Sequence, residues 1–454
     1  MSLCLDPEQL RILNWRLNSK GIGAVVGPPG CGKTTTGSAM AVKLIAEGIA
    51  DRVLLVAYTN AAVNEFAWEI CDIMGATAAR DYCLRTGNKA GIDSKLPIQF
   101  SINAEDIRSK KIILCTTLSL KRLSSFMKFD NMIIDEAGIE RLEHLLSPFV
   151  MGVNQSAASA FGAAQQYEHE HQHEHQHDQE PINNIMDLAE RCGITATVVG
   201  DPKQSRPMGL ADRDRSAIEW VIKYSKSDTL RITHRLPDKL SGLVDEFAHY
   251  GGLRSSPEIA SRRLILDQAP DAVYRDIIQP EEVITWVDIN GEERQSGPSS
   301  WANDMEAKAC AKICKELRSV TRKSIAIVTR FSEQRRIISR HIQRMGLDNV
   351  KVNTTTGALG TQADIVLISL VRNNLKRIVG QAGTLQDLNV AISRSREKLI
   401  IVGNHATMLN GWSRVASNPN SNSRYGYKSP SRRLAQLIDS KYGKVIDVPK
   451  LLVQ

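Results

Sequence analysis

Nowhere does the chain carry an apolar run approaching the roughly 18–20 residues that cross a bilayer. Its first residues, Met1-Ser2-Leu3-Cys4-Leu5-Asp6, lack the basic-then-apolar pattern of a secretion signal. The expectation is a soluble, intracellular protein without a membrane partner. No CxxC pair occurs among Cys4, Cys31, Cys71, Cys83, Cys115, Cys192, Cys310 and Cys314, which argues against a structural zinc module. Cys310 and Cys314 share helical spacing with Ala307, Ala311 and Leu317, so they read as core residues with free thiols.

What is present is ordinary globular material in more than one domain. At 454 residues, 42% hydrophobic and 24% charged, the chain is too long for one compact core. The net charge of +8 is compatible with a nucleic-acid partner but does not require one.

The strongest local signal is Gly27-Pro28-Pro29-Gly30-Cys31-Gly32-Lys33-Thr34, followed by Thr35. It reads G-x-x-x-x-G-K-T. The run Gly23–Val26 before it suits a buried strand, and Lys33–Glu47 after it has helical spacing. Glycines let successive backbone N–H groups close around a phosphate at the positive end of a helix dipole. Lys33 is then placed to reach the β/γ-phosphates of a nucleotide, and the Thr34 hydroxyl to bind Mg²⁺. Met132-Ile133-Ile134 runs into Asp135-Glu136-Ala137-Gly138. In an ATPase, Asp135 would hold Mg²⁺ through water and Glu136 would deprotonate the attacking water. The nucleotide and Mg²⁺ are the implied cofactors.

Other apolar runs end in polar residues. Val53–Ala57 ends in Tyr58-Thr59-Asn60, and Ile112–Cys115 in Thr116-Thr117. Ala196–Val199 ends in Gly200-Asp201-Pro202-Lys203-Gln204, where Gln204 can sense a γ-phosphate. Small polar residues at the carboxyl ends of parallel strands sit where such sheets bind ligands; turn formation is the competing reading. Upstream, Asp6 can cap a helix that carries Gln9. The Gln9 amide can read an adenine edge, or it is a solvated helix residue. The second half repeats strand–helix alternation without a phosphate loop. Ile325–Val328 ends in Thr329-Arg330, Val350–Val352 leads to Thr354, and Asn389–Arg396 precedes Leu399–Val402. The fold class is therefore α/β with mainly parallel sheets. Residues 154–182, with His169, His171, His173, His175 and His177 set among Glu and Gln, read as a disordered surface insert. Residues 414–433 read as a linker.

In order and spacing these motifs resemble the superfamily 1B helicases of the Upf1-like (DNA2/NAM7) group, from about Leu5 to Asn404. Gln9 matches the Q motif, Gly27–Thr34 motif I, Tyr58–Asn64 motif Ia and Cys115–Ser119 motif Ic. Asp135–Gly138 matches motif II and Gly200–Gln204 motif III. Thr233–Pro237, Thr329–Gln334, Thr354–Asp364 and Asn389–Arg396 resemble motifs IV, IVa, V and VI.

The resemblance implies two tandem RecA-like P-loop NTPase domains, 1–229 and 230–410, with a tail at 411–454. It implies ATP hydrolysis between them, with Arg235 and Arg394 as transition-state arginines. It implies 5′-to-3′ movement along single-stranded DNA or RNA, with Thr59, Asn60, Thr117, Thr329, Arg330 and Thr354 as candidate contacts. His234 stands where the family often has Tyr, and can still stack on adenine. Leu359-Gly360-Thr361-Gln362 replaces the family's Q-G-x-E, so Gly360 and Gln362 occupy the nucleotide-side positions without a carboxylate. Ser205-Arg206 replaces the usual Leu-Pro after motif III. The chain starts almost at the Q motif, so the zinc module and β-barrel stalk of larger relatives are expected to be absent. The interval Asn64–Lys111 is too short for a large wedge domain. The expectation is a monomer helped by a protein partner that supplies specificity or a wedge. A GTPase would need N-K-x-D, which Asn88-Lys89-Ala90-Gly91 fails. An ABC ATPase would need L-S-G-G-Q, which Leu240-Ser241-Gly242-Leu243 fails. Two alternatives stay open: an ATPase that remodels protein–nucleic acid complexes without unwinding, and an ATP-gated nucleic-acid-binding scaffold.

Overall fold

The protein is described from a computed structural model. It covers residues 5–124, 127–142, 144–146, 193–204, 215–347, 349–358, 360–413, 427–448 and 452. The histidine-rich insert, Ser205-Arg206, Leu359 and most of the expected linker lie outside the described residues. The chain divides into two units, Met1–Arg231 and Ile232–Gln454.

Unit 1 is built on eight strands: β1 (Ile22–Val26), β2 (Val53–Ala57), β3 (Cys83–Arg85), β4 (Gln99–Phe100), β5 (Ile112–Thr116), β6 (Asn131–Ile134), β7 (Thr195–Gly200) and β8 (Lys226–Thr229). Their order is β4-β3-β5-β2-β6-β7-β1-β8, with every pairing parallel. Parallel strands covered on both faces need apolar residues throughout, and β2, β5 and β6 are buried along their whole length. Helices α1 (Pro7–Leu17), α2 (Lys33–Ala46) and α3 (Asn60–Met74) connect or flank them. Arg16 fixes α1 to the sheet. Its guanidinium is buried against Gly23 and donates to the Thr197 hydroxyl at 2.9 Å and to the carbonyls of Gly21 and Ala196 at 3.1 Å. Burial pulls its pKa down to about 10.

Unit 2 carries a six-stranded parallel sheet: β9 (Ile284–Asp288), β10 (Ile325–Thr329), β11 (Val350–Thr354), β12 (Ala363–Ser369), β13 (Ser395–Gly403) and β14 (Lys444–Asp447). The order is β11-β10-β12-β13-β9-β14. Helices α4 (Asp304–Val320) and α5 (Ser332–Arg344) pack beside it, and Cys310 and Cys314 are fully buried in that core. Helix α6 (Leu385–Ile392) leads to β13. The expected tail carries its terminal helix, which starts earlier than the 414–433 linker reading allowed. Ser429 caps a helix at Pro430–Leu437, and β14 then pairs with β9 as a member of the sheet. A sheet edge as apolar as β9 is stabilised by such a cover.

Candidate functional site

In unit 1 the strand ends converge on the glycine-rich loop. Gly30 and Gly32 adopt φ of 75° and 71°, the left-handed region that glycine enters without cost. Gly32 has a second reason to lack a side chain: a Cβ there would overlap the Gln9 amide nitrogen. Gln9 is only 3% exposed, so it is not a solvated helix residue. Its oxygen accepts from the Asp6 N–H at 3.0 Å, closing a capping box, and its nitrogen donates to the Cys31 carbonyl at 3.4 Å. The start of α1 is thereby tied to the loop. The Gly27 N–H donates to the Gly200 carbonyl at 3.0 Å, which ties the loop to the end of β7. Pro28 accepts from the Cys31 N–H at 3.4 Å, and the Pro29 carbonyl faces the buried Cys31 thiol. The Lys33 ammonium donates to the Gly27 carbonyl at 2.6 Å and to the Pro28 carbonyl at 3.3 Å, so it lies over the cradle.

Thr34, at the start of α2, and Asp135, just after β6, meet at the carboxyl ends of the strands. The Thr34 hydroxyl donates to the Asp135 carboxylate at 3.4 Å. Asp135 is held by its own N–H on the Val56 carbonyl, and it accepts from the Glu136 N–H at 2.8 Å. Burial raises the Asp135 pKa, while nearby Lys33 lowers it. A hydroxyl facing a carboxylate is a hard-oxygen donor pair, which suits Mg²⁺ completed by phosphate and water oxygens. Glu136 has a left-handed backbone, φ 55°, rare for a residue with a side chain. One of its oxygens accepts from both the N–H and the hydroxyl of Thr59, each at 3.2 Å. Desolvation, then the charge of Asp135, pushes Glu136 up to about 7. Gln204 lies in the turn after β7, its N–H on the Asp201 carbonyl at 3.2 Å.

Several expectations change. The Thr35 hydroxyl, expected at the nucleotide, donates to Glu69 on α3 at 3.1 Å. The Thr117 hydroxyl is buried and takes no partner among the described residues; the exposed residue of that turn is Leu118, at 93%. Asn60 accepts from Arg85 at 2.6 Å, yet stays at the strand end beside exposed Tyr58.

In unit 2 the two arginines, Gln362 and Ser393 come together. Arg235 donates to the Gln362 side chain at 3.0 Å and to the Ser393 carbonyl at 3.3 Å. Arg394 is almost wholly buried and donates to the carbonyls of Val390 at 3.0 Å and Thr361 at 3.3 Å. Gln362 thus serves as an amide acceptor for Arg235. Gly360 has φ 73°, and His234 is exposed just after Thr233. The Thr329 hydroxyl is fully buried on the Ser369 carbonyl at 2.9 Å, so it is withdrawn as a surface contact. Arg330 pairs with Asp387 at 3.0 Å, and Thr354 accepts from the Gly357 N–H at 3.2 Å.

The sequence reading missed one cluster. Glu306, fully buried on α4, accepts from the Ser369 hydroxyl at 2.7 Å, the Val371 N–H at 2.8 Å and the Asn303 amide at 3.3 Å. Gln334, noted only as part of motif IVa, joins it through Asn303 and Ser369. The Asn303–Glu306 cap is local, but Gln334, Ser369 and Val371 come from distant segments, which no short spacing signals.

Fold and loop together are those of the P-loop class, with RecA-like units. Two AAA domain family models match residues 4–100 and 213–406. The chain is 25% identical to the DNA replication ATP-dependent helicase/nuclease dna2 of Schizosaccharomyces pombe, over 89% of this chain and 28% of that protein. It is 23% identical to the ATP-dependent helicase NAM7 of Saccharomyces cerevisiae, over 88% of this chain and 43% of that protein. It is 23% identical to the DNA polymerase alpha-associated DNA helicase A of the same yeast, over 88% and 65%. A solved arterivirus nonstructural protein 10 helicase is 12% identical, with a TM-score of 0.42, covering 87% of this chain and 61% of that one. These matches make the chain similar to the Upf1-like (DNA2/NAM7) helicases of superfamily 1B. It spans 28% to 65% of the length of these three curated relatives. Among the described residues no helix is long and apolar enough to cross a membrane.

Proposed function

We propose that the chain is an ATP-dependent nucleic-acid helicase or translocase that moves 5′ to 3′ along single-stranded DNA or RNA. The observation that carries this reading is the junction of the phosphate loop with motif II, where the Thr34 hydroxyl faces Asp135 at 3.4 Å beside Glu136. The glycine-rich loop binds the phosphates, and Lys33 turns from its carbonyls to them. Thr34 and Asp135 would hold Mg²⁺, whose chemistry there would be to neutralise phosphate charge. Glu136 takes a proton from the attacking water. Arg235 and Arg394 stabilise the negative charge that develops on the transferred phosphoryl group.

Nucleic acid is read by phosphate contact and base stacking, which serve DNA and RNA alike. Asn60 with exposed Tyr58 in unit 1, and Arg330 with Thr354 in unit 2, are the proposed contacts. Between Asn64 and Lys111 the chain is spent on β3, β4 and short helices, which supports limited unwinding unless a partner supplies a wedge.

The test follows ATPase with single-stranded DNA and RNA alongside strand displacement on matched 5′- and 3′-tailed duplexes. The expected result is stimulation by single strands and displacement from the 5′ tail. Displacement only from the 3′ tail overturns the direction. Stimulated hydrolysis without displacement favours remodelling of protein–nucleic acid complexes instead.

A further inference from the structure

Thr59 stands at a junction that the proposed reaction does not use. It follows β2, caps α3 by accepting from the Ala62 N–H at 3.2 Å, and precedes Asn60. Its hydroxyl and its N–H both donate, at 3.2 Å, to the same oxygen of Glu136. A carboxylate oxygen that takes two donors has its lone pairs engaged and is a poorer acceptor for a water proton. Glu136 also has the left-handed backbone, so its orientation depends on what holds it. The residue before Thr59 is Tyr58, 40% exposed. Any ligand that shifts the Tyr58–Asn60 segment moves the two Glu136 donors with it.

We infer that Thr59 is a positioning residue that restrains Glu136 until nucleic acid engages the end of β2, and so couples strand binding to hydrolysis. The inference rests on the hydrolysis reading proposed above. Nothing covalent changes at Thr59. Its hydroxyl turns away from Glu136, and the freed carboxylate oxygen accepts from water.

Three variants separate the restraint from the helix cap. Thr59→Val removes the hydroxyl bond to Glu136 and the cap, leaving only the backbone N–H. Thr59→Asp keeps an acceptor for the Ala62 N–H but has no side-chain donor for Glu136. Thr59→Ser keeps both. ATPase is measured with and without poly-dT and poly-U, and thermal unfolding of each variant is followed by circular dichroism. The expected result is a rise of at least fivefold in nucleic-acid-free kcat for Thr59→Val and Thr59→Asp. The stimulation ratio falls in step, with little change in KM for ATP, and Thr59→Ser retains the wild-type ratio. If Thr59→Val does not fold, Thr59→Asp decides. A wild-type stimulation ratio in Thr59→Asp overturns the inference while leaving the hydrolysis reading intact. So does a proportional fall of both rates, or a change in Thr59→Val alone. A wild-type protein that hydrolyses no ATP with either polymer overturns both.

Discussion

Glu136 in unit 1 and Glu306 in unit 2 are both enclosed acids whose pKa is raised by desolvation, to about 7 and about 8. Their surroundings differ. Glu306 sits on the first turn of α4 and collects donors from two segments: Asn303, the cap of its own helix, and Ser369 and Val371 at and just beyond the end of β12. Glu136 takes both its Thr59 bonds on one oxygen, lies beside a second carboxylate, and has a left-handed backbone. Burial and a raised pKa alone do not mark a functional acid. What separates the two is how many independent elements fix the carboxyl. Glu306 is locked into a scaffold, whereas Glu136 is steadied by one residue at a strand end.

The sharpest test of that contrast is to neutralise each acid in turn. Glu136→Gln should retain ATP binding but lose up to ~10⁴-fold in kcat, whereas Glu306→Gln should hydrolyse ATP near the wild-type rate. Multiple-turnover ATPase with a separate nucleotide-binding measurement checks both. Turnover by Glu136→Gln within about tenfold of wild type would remove Glu136 as the base.

Next come the charges that unit 2 is proposed to supply. Arg235→Ala and Arg394→Ala should each lower kcat by ~10³-fold with smaller effects on ATP affinity. Arg394→Ala should also destabilise the protein, because the guanidinium is buried on the carbonyls of Val390 and Thr361. Denaturant unfolding read beside kcat separates the two effects.

A smaller effect concerns stability. With its folded pKa raised from 4.5 to about 8, Glu306 binds its proton more tightly in the native protein than in the unfolded chain. The stability it contributes is complete below pH 4.5 and is lost as pH rises toward 8. The denaturation midpoint of unit 2 should therefore fall between pH 5 and 8, and Glu306→Gln should flatten that fall. A midpoint with identical pH dependence in the variant would refute the assignment. Smallest of all, Gln362→Glu would turn the amide bond with Arg235 into a partly exposed ion pair, which is worth about 0.2–1 kcal/mol. A shift of a few fold in KM for ATP with little change in kcat is expected from steady-state kinetics.

The phosphate loop and Asp135-Glu136 were legible because their chemistry needs particular residue types at short spacing. The central β-strands were legible as apolar runs, since strands buried on both faces tolerate little else, whereas the short β3 and β4 and the polar edge strand β8 were not. The strand-end hydroxyls were less so. Whether Thr329 meets a ligand or the Ser369 carbonyl depends on pairing with a strand far along the chain, which local sequence does not reveal. The same holds for Arg16, whose partners include Ala196 and Thr197. Lys398 is another case: it is fully buried and held by the carbonyl of Gln279 and the Thr285 hydroxyl. Gln9 shows the intermediate situation. The Asp6 cap was readable, but the return of the Gln9 side chain to it and its reach to Cys31 were not.

The pairing of β14 with β9 has a consequence for synthesis. Residues 284–288 leave the ribosome long before residues 444–447 that cover their edge. Until then Ile284-Thr285-Trp286-Val287 presents an apolar strand with an open row of backbone donors and acceptors. Unit 2 therefore cannot finish its sheet vectorially, and a chain stalled or cleaved before Lys444 carries a sticky edge that recruits other strands.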